Sequence, residues 1–338
     1  MWAIRVEKPG DLALVEVAEP AVGPEQLLVR IRRTGICGSD MHIFHGRNPF
    51  ARYPRVIGHE AIGTVAVIGP DVEGFATGDR VVIDPVVSCG VCHACRIGRP
   101  NVCRNLQVIG VHRDGGMSEF CLIPAANAVK VPETLSERAA VMAEPYSIAA
   151  NIMLRSEADA NDTALIYGAG MVGLSSLQAA AARGVRCIVA DIEDRRLERA
   201  RALGAARVVN SKRESLEEVV QAETAGYGVT LVIDGAGAPG ILEQAVQLTG
   251  PAGRIMVLNF QPGTSAIPQS ELVKKELSLL GSRLNRRLIP AVLEWFESRK
   301  VDPEKLVTQE FPFHQVQDAF RLIEEHPEAV CKVQLVFA

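Results

Sequence analysis

The pattern of apolar and polar positions changes near residue 147. Before this point, apolar residues form short β-branched runs that glycine and proline interrupt, and residues 27–36 and 61–69 have the length and composition of strands. Beyond it, apolar runs alternate with stretches of helical periodicity, as in residues 163–168 followed by 171–184. The first part therefore predicts a mostly-β domain with long loops. The second predicts an α/β domain with a doubly wound parallel sheet.

The last part of the chain contains two further helical stretches, at 286–300 and 316–326, and a final apolar strand at 331–337. This tail is too short for a third domain, so we expect it to pack on the mostly-β domain. The predicted organisation is a mostly-β domain of residues 1–146 with 284–338, and a parallel-sheet domain of residues 147–283.

The composition indicates a folded protein that acts on a small molecule. The chain has 338 residues, a length that suits two domains, and 48% of them are hydrophobic, which favours a globular protein over a disordered one. With a net charge of −4 and no basic stripe, we expect neither nucleic acid nor an anionic membrane surface as a partner. No apolar run reaches the ~18 residues of a membrane span, and the amino-terminal segment lacks the apolar core of a signal peptide. A cytoplasmic location is therefore expected.

Four of the eight cysteines lie within fifteen residues, in the spacing Cys-x2-Cys-x2-Cys-x7-Cys: Cys89, Cys92, Cys95 and Cys103. In a cytosolic chain, clustered cysteines bind metal more often than they form disulfides. Such short spacings let one loop wrap a single ion, which predicts a structural zinc site that is closed to substrate. An iron–sulfur cluster is the alternative. We expect His93, in the same loop, to be a solvated side chain.

A second set of metal-ligand side chains comes from three separated segments, each beside a glycine, a proline or a strand end. The candidates are Cys37, His59 and a carboxylate that could be Glu60 or Glu144. A catalytic zinc needs about three protein ligands and one open position for water or substrate. Each residue alone is a weak candidate, because buried cysteines and satisfied histidines are common. A dinucleotide motif in the same chain favours the catalytic interpretation.

That motif is a glycine-rich turn, Gly168-x-Gly170-x-x-Gly173, which directly follows an apolar strand and begins an alanine-rich helix. In this context the first glycine permits a tight turn and the second lets backbone approach a pyrophosphate. The third lets the helix pack closely on the sheet. The helix N-terminus at Met171 and Val172 offers backbone N–H groups and a positive dipole end to the phosphates.

The next strand ends at Asp191, eighteen residues after Gly173. A carboxylate there accepts hydrogen bonds from the adenosine ribose hydroxyls and repels a 2′-phosphate. Because Ile192 and not an arginine follows, NAD is the expected cofactor rather than NADP. The alternative for Asp191 is a helix N-terminal charge. Arg196 could lie along the ribose or be a solvated helix charge.

Together these residues resemble the zinc-containing medium-chain dehydrogenases, a family with sorbitol, threonine and alcohol dehydrogenases as members. The Gly-His-Glu at 58–60, the four-cysteine loop, the Glu-Pro at 144–145 and the glycine motif occur in that family's order, and the resemblance covers the whole chain. Segments such as 48–60 and 108–116 resemble most closely the bacterial RspB-type proteins and their L-galactonate and L-gulonate 5-dehydrogenase relatives. The family implies a GroES-like catalytic domain and a Rossmann domain, with the active site between them.

The resemblance also implies a role for each candidate of the catalytic zinc site. Cys37 and His59 correspond to zinc ligands, and Glu60 resembles the exchangeable third ligand of sorbitol dehydrogenase. Glu144 stands where alcohol dehydrogenases have a second cysteine and polyol enzymes have a glutamate, which can act through a bound water. One catalytic and one structural zinc per chain are therefore expected, together with NAD.

The implied reaction is the oxidation of a secondary alcohol by hydride transfer to nicotinamide. Zinc lowers the pKa of the bound hydroxyl, and Ser39 and His42 match the proton-relay positions on either side of the nicotinamide ribose. Arg283 matches an arginine near the substrate of sorbitol dehydrogenase. Met171 departs from the family pattern, in which a proline is usual, but it leaves the glycines intact.

The substrate that this subgroup implies is a sugar acid, L-gulonate or L-galactonate, oxidised at carbon five. A sugar acid needs a cationic partner for its carboxylate, and arginine suits bidentate carboxylate binding. The candidates are Arg113 and Arg283, with Arg47 and Arg52 more readily explained as surface residues.

Two other functions remain open from the sequence. A polyol or L-threonine 3-dehydrogenase could use the same scaffold, and a non-catalytic regulatory protein could retain zinc and NAD binding alone. A homo-oligomer, dimer or tetramer, is expected by resemblance, and either of the runs 254–260 and 276–282 could be an edge strand that pairs with a second subunit.

Overall fold

The structure, a computed structural model, describes residues 1–258, 260 and 263–337. It divides into two compact units. The first is formed by Met1–Ser147 with Leu284–Ala338, and the second by Ile148–Arg283. The carboxyl-terminal segment therefore belongs to the same unit as the amino-terminal part.

Short strands dominate the chain before residue 147. They are β1 (Trp2–Lys8), β2 (Asp11–Glu16), β3 (Gln26–Ile36), β4 (Arg55–Val56), β5 (Glu60–Ile68), β6 (Arg80–Ile83), β7 (Val86–Val87), β8 (Gln107–Val108), β9 (Phe120–Pro124) and β10 (Ala128–Lys130). The later strands are β11 (Thr163–Tyr167), β12 (Arg186–Asp191), β13 (Arg207–Asn210), β14 (Val229–Asp234), β15 (Thr249–Val257), β16 (Ser278–Gly281), β17 (Val307–Pro312) and β18 (Lys332–Val336).

The helices are mostly short. They are α1 (Gly38–Phe44), α2 (His93–Arg96), α3 (Glu137–Ala140), α4 (Ala143–Ser156), α5 (Met171–Ala181), α6 (Asp194–Ala202), α7 (Leu216–Glu223), α8 (Ile241–Leu248), α9 (Gln269–Lys275), α10 (Ile289–Glu297) and α11 (Val316–Glu325). Single 3₁₀ turns occupy Pro100–Val102, Ala125–Asn127, Pro303–Leu306 and Phe313–Gln315. Among the described residues, no helix combines the length and the apolar character that crossing a membrane requires.

Helix α1 lies in the first part of the chain, for which the sequence pattern predicted strands and long loops. Its start is stabilised by the side chain of Asp40, whose Oδ2 accepts the backbone N–H of Cys37 at 2.8 Å. A carboxylate at the third helical position satisfies a donor that would otherwise have no partner and interacts favourably with the positive end of the helix. The helix is too short to show a helical period in the sequence, so no pattern of apolar residues indicated it.

The first unit is built around β3, the longest of its strands. Its main sheet has the order β10-β6-β5-β3-β18-β17, and β9 also pairs with β3. Apolar side chains of β3, among them Leu27, Val29 and Ile31, are buried in the core of this unit. Two smaller sheets have the orders β2-β1-β4 and β7-β8. Because β5 and β18 flank β3, residues far apart in sequence meet at the end of this strand.

The second unit contains a six-stranded parallel sheet with the order β13-β12-β11-β14-β15-β16. The strand order reverses between β11 and β14, and ligands of such sheets bind at the carboxyl ends of the strands at this point. Leu165, Ile188 and Val232 belong to the buried core of the sheet. The α/β fold predicted from the alternation of strands and helices is confirmed.

The two runs proposed as edge strands differ in position. Residues 254–257 lie in β15, which pairs with β14 and β16 and is therefore interior. β16 lies at the edge of the sheet. Of the two runs, only 276–282 therefore contains an edge strand. Asn259, within the run 254–260, lies outside the described residues.

Candidate active site and cofactor sites

Three metal-ligand side chains meet at the end of β3 in the first unit. The donor atoms of Cys37, His59 and Glu60 lie within 4.8 Å of one another. Strand pairing brings them together, because Gly35 of β3 is the partner of Glu60 at the start of β5. Thiolate, imidazole and carboxylate are the ligand types that zinc prefers in proteins. His59 and Glu60 are buried, so the donor set can hold a metal away from bulk water.

Asp40 connects both segments that carry these ligands. Its Oδ2 accepts the N–H of Cys37, and its Oδ1 accepts the N–H of Gly58 at 3.2 Å. The same Oδ1 lies 3.6 Å from Nδ1 of His59, and Asp40 has no exposed surface. A carboxylate at this nitrogen orients the imidazole and leaves Nε2 available to a metal.

The surroundings of His59 favour its charged form in the absence of a metal. Burial lowers the pKa of His59, but the charges and hydrogen bonds of Asp40 and Cys37 outweigh it, and the pKa is well above its ordinary value. A divalent cation can take the place of that proton, because the same negative groups favour either positive charge. Ser39 Oγ lies 3.4 Å from Nε2 of His59, so the serine hydroxyl is next to the position where a metal would bind.

Glu60 is held by a buried lysine of the carboxyl-terminal strand. Lys332 Nζ lies 2.6 Å from Oε1 and 2.7 Å from Oε2 of Glu60, and it donates a third hydrogen bond to the carbonyl oxygen of Ile36 at 3.1 Å. Burial lowers the pKa of Lys332, but the negative charges of Glu60 and Cys37 reverse the effect and raise it. Lys332 is therefore a fixed cation beside the donor set.

Glu144 lies in the first turn of α4 and is also buried. Burial raises the pKa of its carboxyl group to about 8; the charge of His59 opposes this shift and that of Glu60 adds to it. The charges of His59 and Glu60 therefore act on the carboxyl group of Glu144. Its oxygens are outside the group of three ligand atoms that lie within 4.8 Å, so the geometry favours Glu60 as the third ligand.

Ser39 and His42 lie three residues apart on α1, and such residues occupy the same face of a helix. Ser39 is half-buried near His59, whereas His42 is exposed. Ser39 therefore lies near the donor set, and His42 faces solvent on the same side of the helix. The carbonyl oxygen of His42 accepts the N–H groups of Arg47 and Asn48, at 2.8 and 3.2 Å.

The four clustered cysteines form a compact group in the same unit. Their sulfur atoms lie within 4.8 Å of one another, with separations of 3.5 Å for Cys92–Cys95 and 3.4 Å for Cys89–Cys103. Zinc–sulfur bonds of ~2.3 Å in a tetrahedron give sulfur separations of about 3.8 Å, so the group fits a zinc ion. None of the four cysteines forms a disulfide.

Backbone N–H groups favour the thiolate form at part of this cluster, whereas burial and the neighbouring cysteine side chains raise the pKa of Cys95 to about 11. Cys103 Sγ accepts the N–H groups of Cys89 and Asn105, both at 3.3 Å. The N–H groups of Arg104 and Cys95 lower the pKa of Cys92 to about 6. The thiolate is the metal ligand, so such hydrogen bonds favour zinc binding. His93 begins α2 within this loop and is exposed, as expected.

The glycine motif of the second unit follows β11 and leads into α5. Gly168 has a φ of +85°, and Gly170 is the N-cap residue of α5, whose first residues are Met171 and Val172. A Cβ at Gly173 would lie 1.8 Å from the carbonyl oxygen of Gly168, so only glycine fits there. The space around Gly170 is open, with no atom other than those of its chain neighbours within 4 Å of a Cβ built there.

Asp191, at the end of β12, lies against this turn. Its Oδ2 accepts the N–H of Ala169 at 2.7 Å, and its Oδ1 accepts those of Ile192 and Glu193 at 2.7 and 2.9 Å. A carboxylate oxygen can accept about two hydrogen bonds, so Oδ2 retains a lone pair for a ribose hydroxyl. Arg196 lies two residues into α6, and its backbone N–H bonds to the carbonyl oxygen of Glu193.

The four arginine candidates occupy three different places. Arg47 and Arg52 are exposed in the loop after α1. Arg113 is exposed at a cavity of about 350 Å³ that Arg5 and Asp114 also line. Arg283 belongs to the second unit, where its guanidinium lies 5.1 Å from the centre of the Phe260 ring.

Two residues at the site were not among the candidates from the sequence. Asp40 could have been found, because its position three residues after Cys37 is that of a helix-capping carboxylate. Lys332 had no such signal, since it lies 272 residues from Glu60 and only the pairing of β3 with β5 and β18 brings the two together.

Two candidate zinc sites and a dinucleotide-binding sheet define a zinc-dependent dehydrogenase. Comparisons with known proteins agree: residues 23–133 match the alcohol dehydrogenase GroES-like domain, and residues 172–298 match the zinc-binding dehydrogenase family. The chain belongs to this family. It is an oxidoreductase that acts on CH–OH groups, with zinc and NAD as its cofactors. The expected enzyme class is thereby confirmed over a non-catalytic regulatory protein.

Individual relatives match over nearly the full length of the chain. The starvation-sensing protein RspB of Escherichia coli K12 is 45% identical over 342 residues, covering 100% of both chains. L-threonine 3-dehydrogenase of Pyrococcus horikoshii is 36% identical over 334 residues, covering 96% of this chain and 95% of its own. A crystal structure of an alcohol dehydrogenase (rspB) from E. coli CFT073, complexed with NADH, has a TM-score of 0.96 and 44% identity, covering 100% of this chain and 99% of its own.

Proposed function

We propose that the enzyme oxidises a secondary hydroxyl group of a sugar acid, of the L-gulonate or L-galactonate type, to a ketone while it reduces NAD. The observation that carries this proposal is the mixed donor set of Cys37, His59 and Glu60, with the carboxyl group of Glu144 nearby. Oxygen donors make a harder metal site than one with more thiolates, which supports a polyhydroxylated substrate.

A cationic partner for the carboxylate distinguishes a sugar acid from a neutral polyol. Arg113, exposed at its cavity, and Arg283 are the proposed partners. Arg47 is a further candidate in the same unit as the donor set, because its backbone bond to His42 attaches its loop to α1. Arg47 and Arg113 form no ion pair within the described part of the chain, so their guanidinium groups are available to a substrate carboxylate.

In the proposed mechanism, Cys37, His59 and Glu60 would hold the zinc ion, which when bound would lower the pKa of the substrate hydroxyl. NAD held at the glycine turn would supply the hydride acceptor. Asp40 fixes the orientation of the His59 ring through Nδ1. Ser39 Oγ accepts the hydroxyl proton while its own proton passes on toward His42, which is exposed on the same helix face and releases a proton to solvent. The buried position of Glu60 and His59 excludes water from the reacting centre.

The substrate is tested by assaying the purified enzyme with NAD against L-gulonate, L-galactonate, sorbitol and L-threonine. We expect turnover of at least one hexonate with the highest kcat/KM. Separate Arg47→Gln, Arg113→Gln and Arg283→Gln variants identify the carboxylate partner. Loss of a charge-assisted bidentate bond raises KM for the hexonate about tenfold or more and leaves KM for a polyol unchanged.

Arg321→Gln is the matched control, since Arg321 is an exposed arginine of α11 that pairs with Asp318. It is expected to leave both KM values at the wild-type level. Turnover of polyols alone, or equal effects of the arginine variants on charged and neutral substrates, would contradict the sugar-acid proposal.

L-threonine is the second candidate substrate. It also carries a carboxylate beside a secondary hydroxyl, and an L-threonine 3-dehydrogenase is 36% identical to this chain. The same assay distinguishes the two, because a threonine enzyme would turn over L-threonine with a kcat/KM above that of every hexonate.

We further propose that the chain forms a homo-oligomer through the edge strand β16. The helix α9, which precedes β16 along the chain, exposes Val273 almost completely, at 82% of its surface. Light scattering on the purified protein is expected to give a multiple of the 36.4 kDa chain mass, and Leu280→Lys in β16 is expected to shift it toward the monomer. A monomer in the wild-type protein would contradict the proposal.

The cytoplasm is the proposed location. All eight cysteines are free of disulfides, which suits a reducing compartment. Mass spectrometry after thiol alkylation in freshly lysed cells is expected to find the eight cysteines reduced; a disulfide-linked fraction would count against this location.

A further inference from the structure

Two arginines of the first unit have no carboxylate partner. Arg99 is exposed in the four-cysteine loop, and Arg286 is half-buried near the start of the carboxyl-terminal segment. Within the described part of the chain, neither guanidinium group forms an ion pair or a hydrogen bond. Other arginines of this unit differ in this respect; Arg33, for example, bonds to the carboxylate of Glu310 at 2.8 Å.

The fold brings both arginines close to strand β7. Arg99 directly precedes the 3₁₀ turn Pro100–Val102, and this turn packs against β7. Arg286 follows Asn285, whose side-chain amide donates to Oδ1 of Asp84 at 3.3 Å, two residues before β7. Asn285 and Asp84 are both buried, so this bond joins the two segments inside the unit.

The backbone on either side of Arg286 is held in place. Oδ1 of Asn285 accepts the N–H groups of Arg287 and Leu288, at 2.8 and 3.3 Å. Leu284 and Arg287 have φ values of +50° and +59°, a left-handed conformation that few residues with a Cβ adopt. Such conformations persist only where the surrounding structure determines them. Arg286 therefore cannot easily move its backbone away from the four-cysteine loop.

The two guanidinium groups repel each other. Burial lowers the pKa of Arg286, and the positive charge of Arg99 lowers it further. Arginine stays protonated in proteins, so neither charge can be lost to relieve the repulsion. An anion that binds both groups offsets it, because opposite charges stabilise the charged form. The described residues place no carboxylate there, so an anion from outside the chain is the partner that the charges favour.

The number of donors favours a phosphoryl group over a carboxylate. A guanidinium group carries five N–H donors in a planar fork, and one such fork satisfies both oxygens of a carboxylate. Two forks match an anion with more oxygens and a double negative charge, as in phosphate. We propose that Arg99 and Arg286 form a binding site for a phosphoryl oxyanion on the first unit. This site shares no residue with the donor set, and the proposal does not depend on which alcohol is oxidised.

The test measures phosphate binding to the zinc-loaded full chain by isothermal titration calorimetry, at constant ionic strength. We expect the wild type to bind one phosphate per chain. Arg99→Gln and Arg286→Gln should each raise the Kd about tenfold, since each removes one charge-assisted pair of bonds. Arg96→Gln is the matched control, because it removes an exposed arginine of the same loop, in α2, and should retain the wild-type Kd. Absence of phosphate binding, or an equal Kd in the wild type and both site variants, would overturn the proposal.

Thermal unfolding separates an anion site from a structural role of the arginines. Without phosphate, Arg99→Gln is expected to unfold at the wild-type temperature or above it, because the substitution relieves a repulsion between like charges. With phosphate, the wild type is stabilised by binding and becomes the more stable of the two. An equal loss of stability under both conditions would contradict the site. Zinc content and the mass from light scattering should match the wild type in each variant. A decrease in either would assign the arginines to the zinc loop or to a contact with a second copy instead.

The source of the phosphoryl group is distinguished by the ligand used in the titration. Equal Kd values for inorganic phosphate and a hexose 6-phosphate support a site that recognises the phosphoryl group alone, and tighter binding of the hexose 6-phosphate supports a phosphorylated small molecule. Acetate, with one charge and two oxygens, should bind at least about tenfold more weakly than phosphate; equal binding would overturn the phosphoryl assignment. Failure of the sugar-acid proposal is recognised separately, as normal phosphate binding without turnover of hexonates.

Discussion

The carbonyl oxygen of Gly168 occupies the space that a side chain at Gly173 would need, 1.8 Å from the position of its Cβ. Gly170, in the same turn, has no atom other than those of its chain neighbours within 4 Å of a Cβ built there. The two glycines therefore have different roles. Gly173 lets α5 pack closely on the sheet, and Gly170 lets a ligand approach the backbone.

Alanine substitutions are expected to separate these two roles. Gly173→Ala should lower the free energy of unfolding by about 1–3 kcal/mol, because the methyl group overlaps a backbone atom that cannot move without its strand. Gly170→Ala should leave the melting temperature near that of the wild type and weaken NAD binding, since the added methyl group obstructs the pyrophosphate. Thermal unfolding and NADH fluorescence titration measure the two effects. Equal losses of stability in both variants would contradict the assignment.

Asp40 is expected to control zinc affinity without touching the metal. Asp40→Asn keeps one acceptor oxygen, so only one of the N–H groups of Cys37 and Gly58 retains its bond, and it removes the negative charge 3.6 Å from Nδ1 of His59. We expect the affinity for catalytic zinc to fall about 10- to 100-fold, as for other outer partners of ligand histidines. Zinc competition with a chromogenic chelator measures this.

Asp79→Asn provides the control for Asp40→Asn, because Asp79 is a carboxylate of the same unit that pairs with the exposed Lys130. Its zinc affinity should equal that of the wild type. If Asp40→Asn also retained wild-type affinity, the role of Asp40 in orienting His59 would be wrong.

Cys103→Ser is expected to abolish the structural zinc site. Cys103 receives two backbone N–H groups and contacts Cys89 Sγ at 3.4 Å, and a serine hydroxyl does not replace a thiolate ligand. Zinc content should fall from about two to about one ion per chain, and the melting temperature should decrease because metal binding contributes directly to folding. Cys187→Ser, a buried cysteine outside the cluster, should keep the full zinc content. Unchanged zinc content in Cys103→Ser, measured by atomic absorption, would contradict the assignment.

Asp191→Asn is expected to reduce the preference for NAD over NADP. The substitution removes the charge that repels a 2′-phosphate and weakens the bonds to the ribose. The ratio of kcat/KM for NAD to that for NADP should fall at least about tenfold, which corresponds to one charge-assisted hydrogen bond. Asp194→Asn, an exposed neighbour that pairs with Asn210 and Arg213, should retain the wild-type ratio. A ratio unchanged by Asp191→Asn would show that another residue selects the cofactor.

The sequence by itself determined the features that lie within one continuous segment. The four cysteines are adjacent in one loop, and the glycine turn joins a strand to the helix that follows it, so their spacing carries the geometry. The parallel sheet was predictable for the same reason, since the alternation of strands and helices is a local pattern.

Only the tertiary structure decided how distant segments combine. Cys37, His59 and Lys332 come from three strand ends, and their meeting depends on which strands pair with β3. No local pattern records a pairing between residues 272 positions apart, as for Lys332 and Glu60. The choice of Glu60 over Glu144 as third donor likewise depended on distances between side chains. These distances follow from the register of the paired strands. The register is fixed because each strand must turn its apolar side chains toward the core, and this determines which residues lie opposite one another.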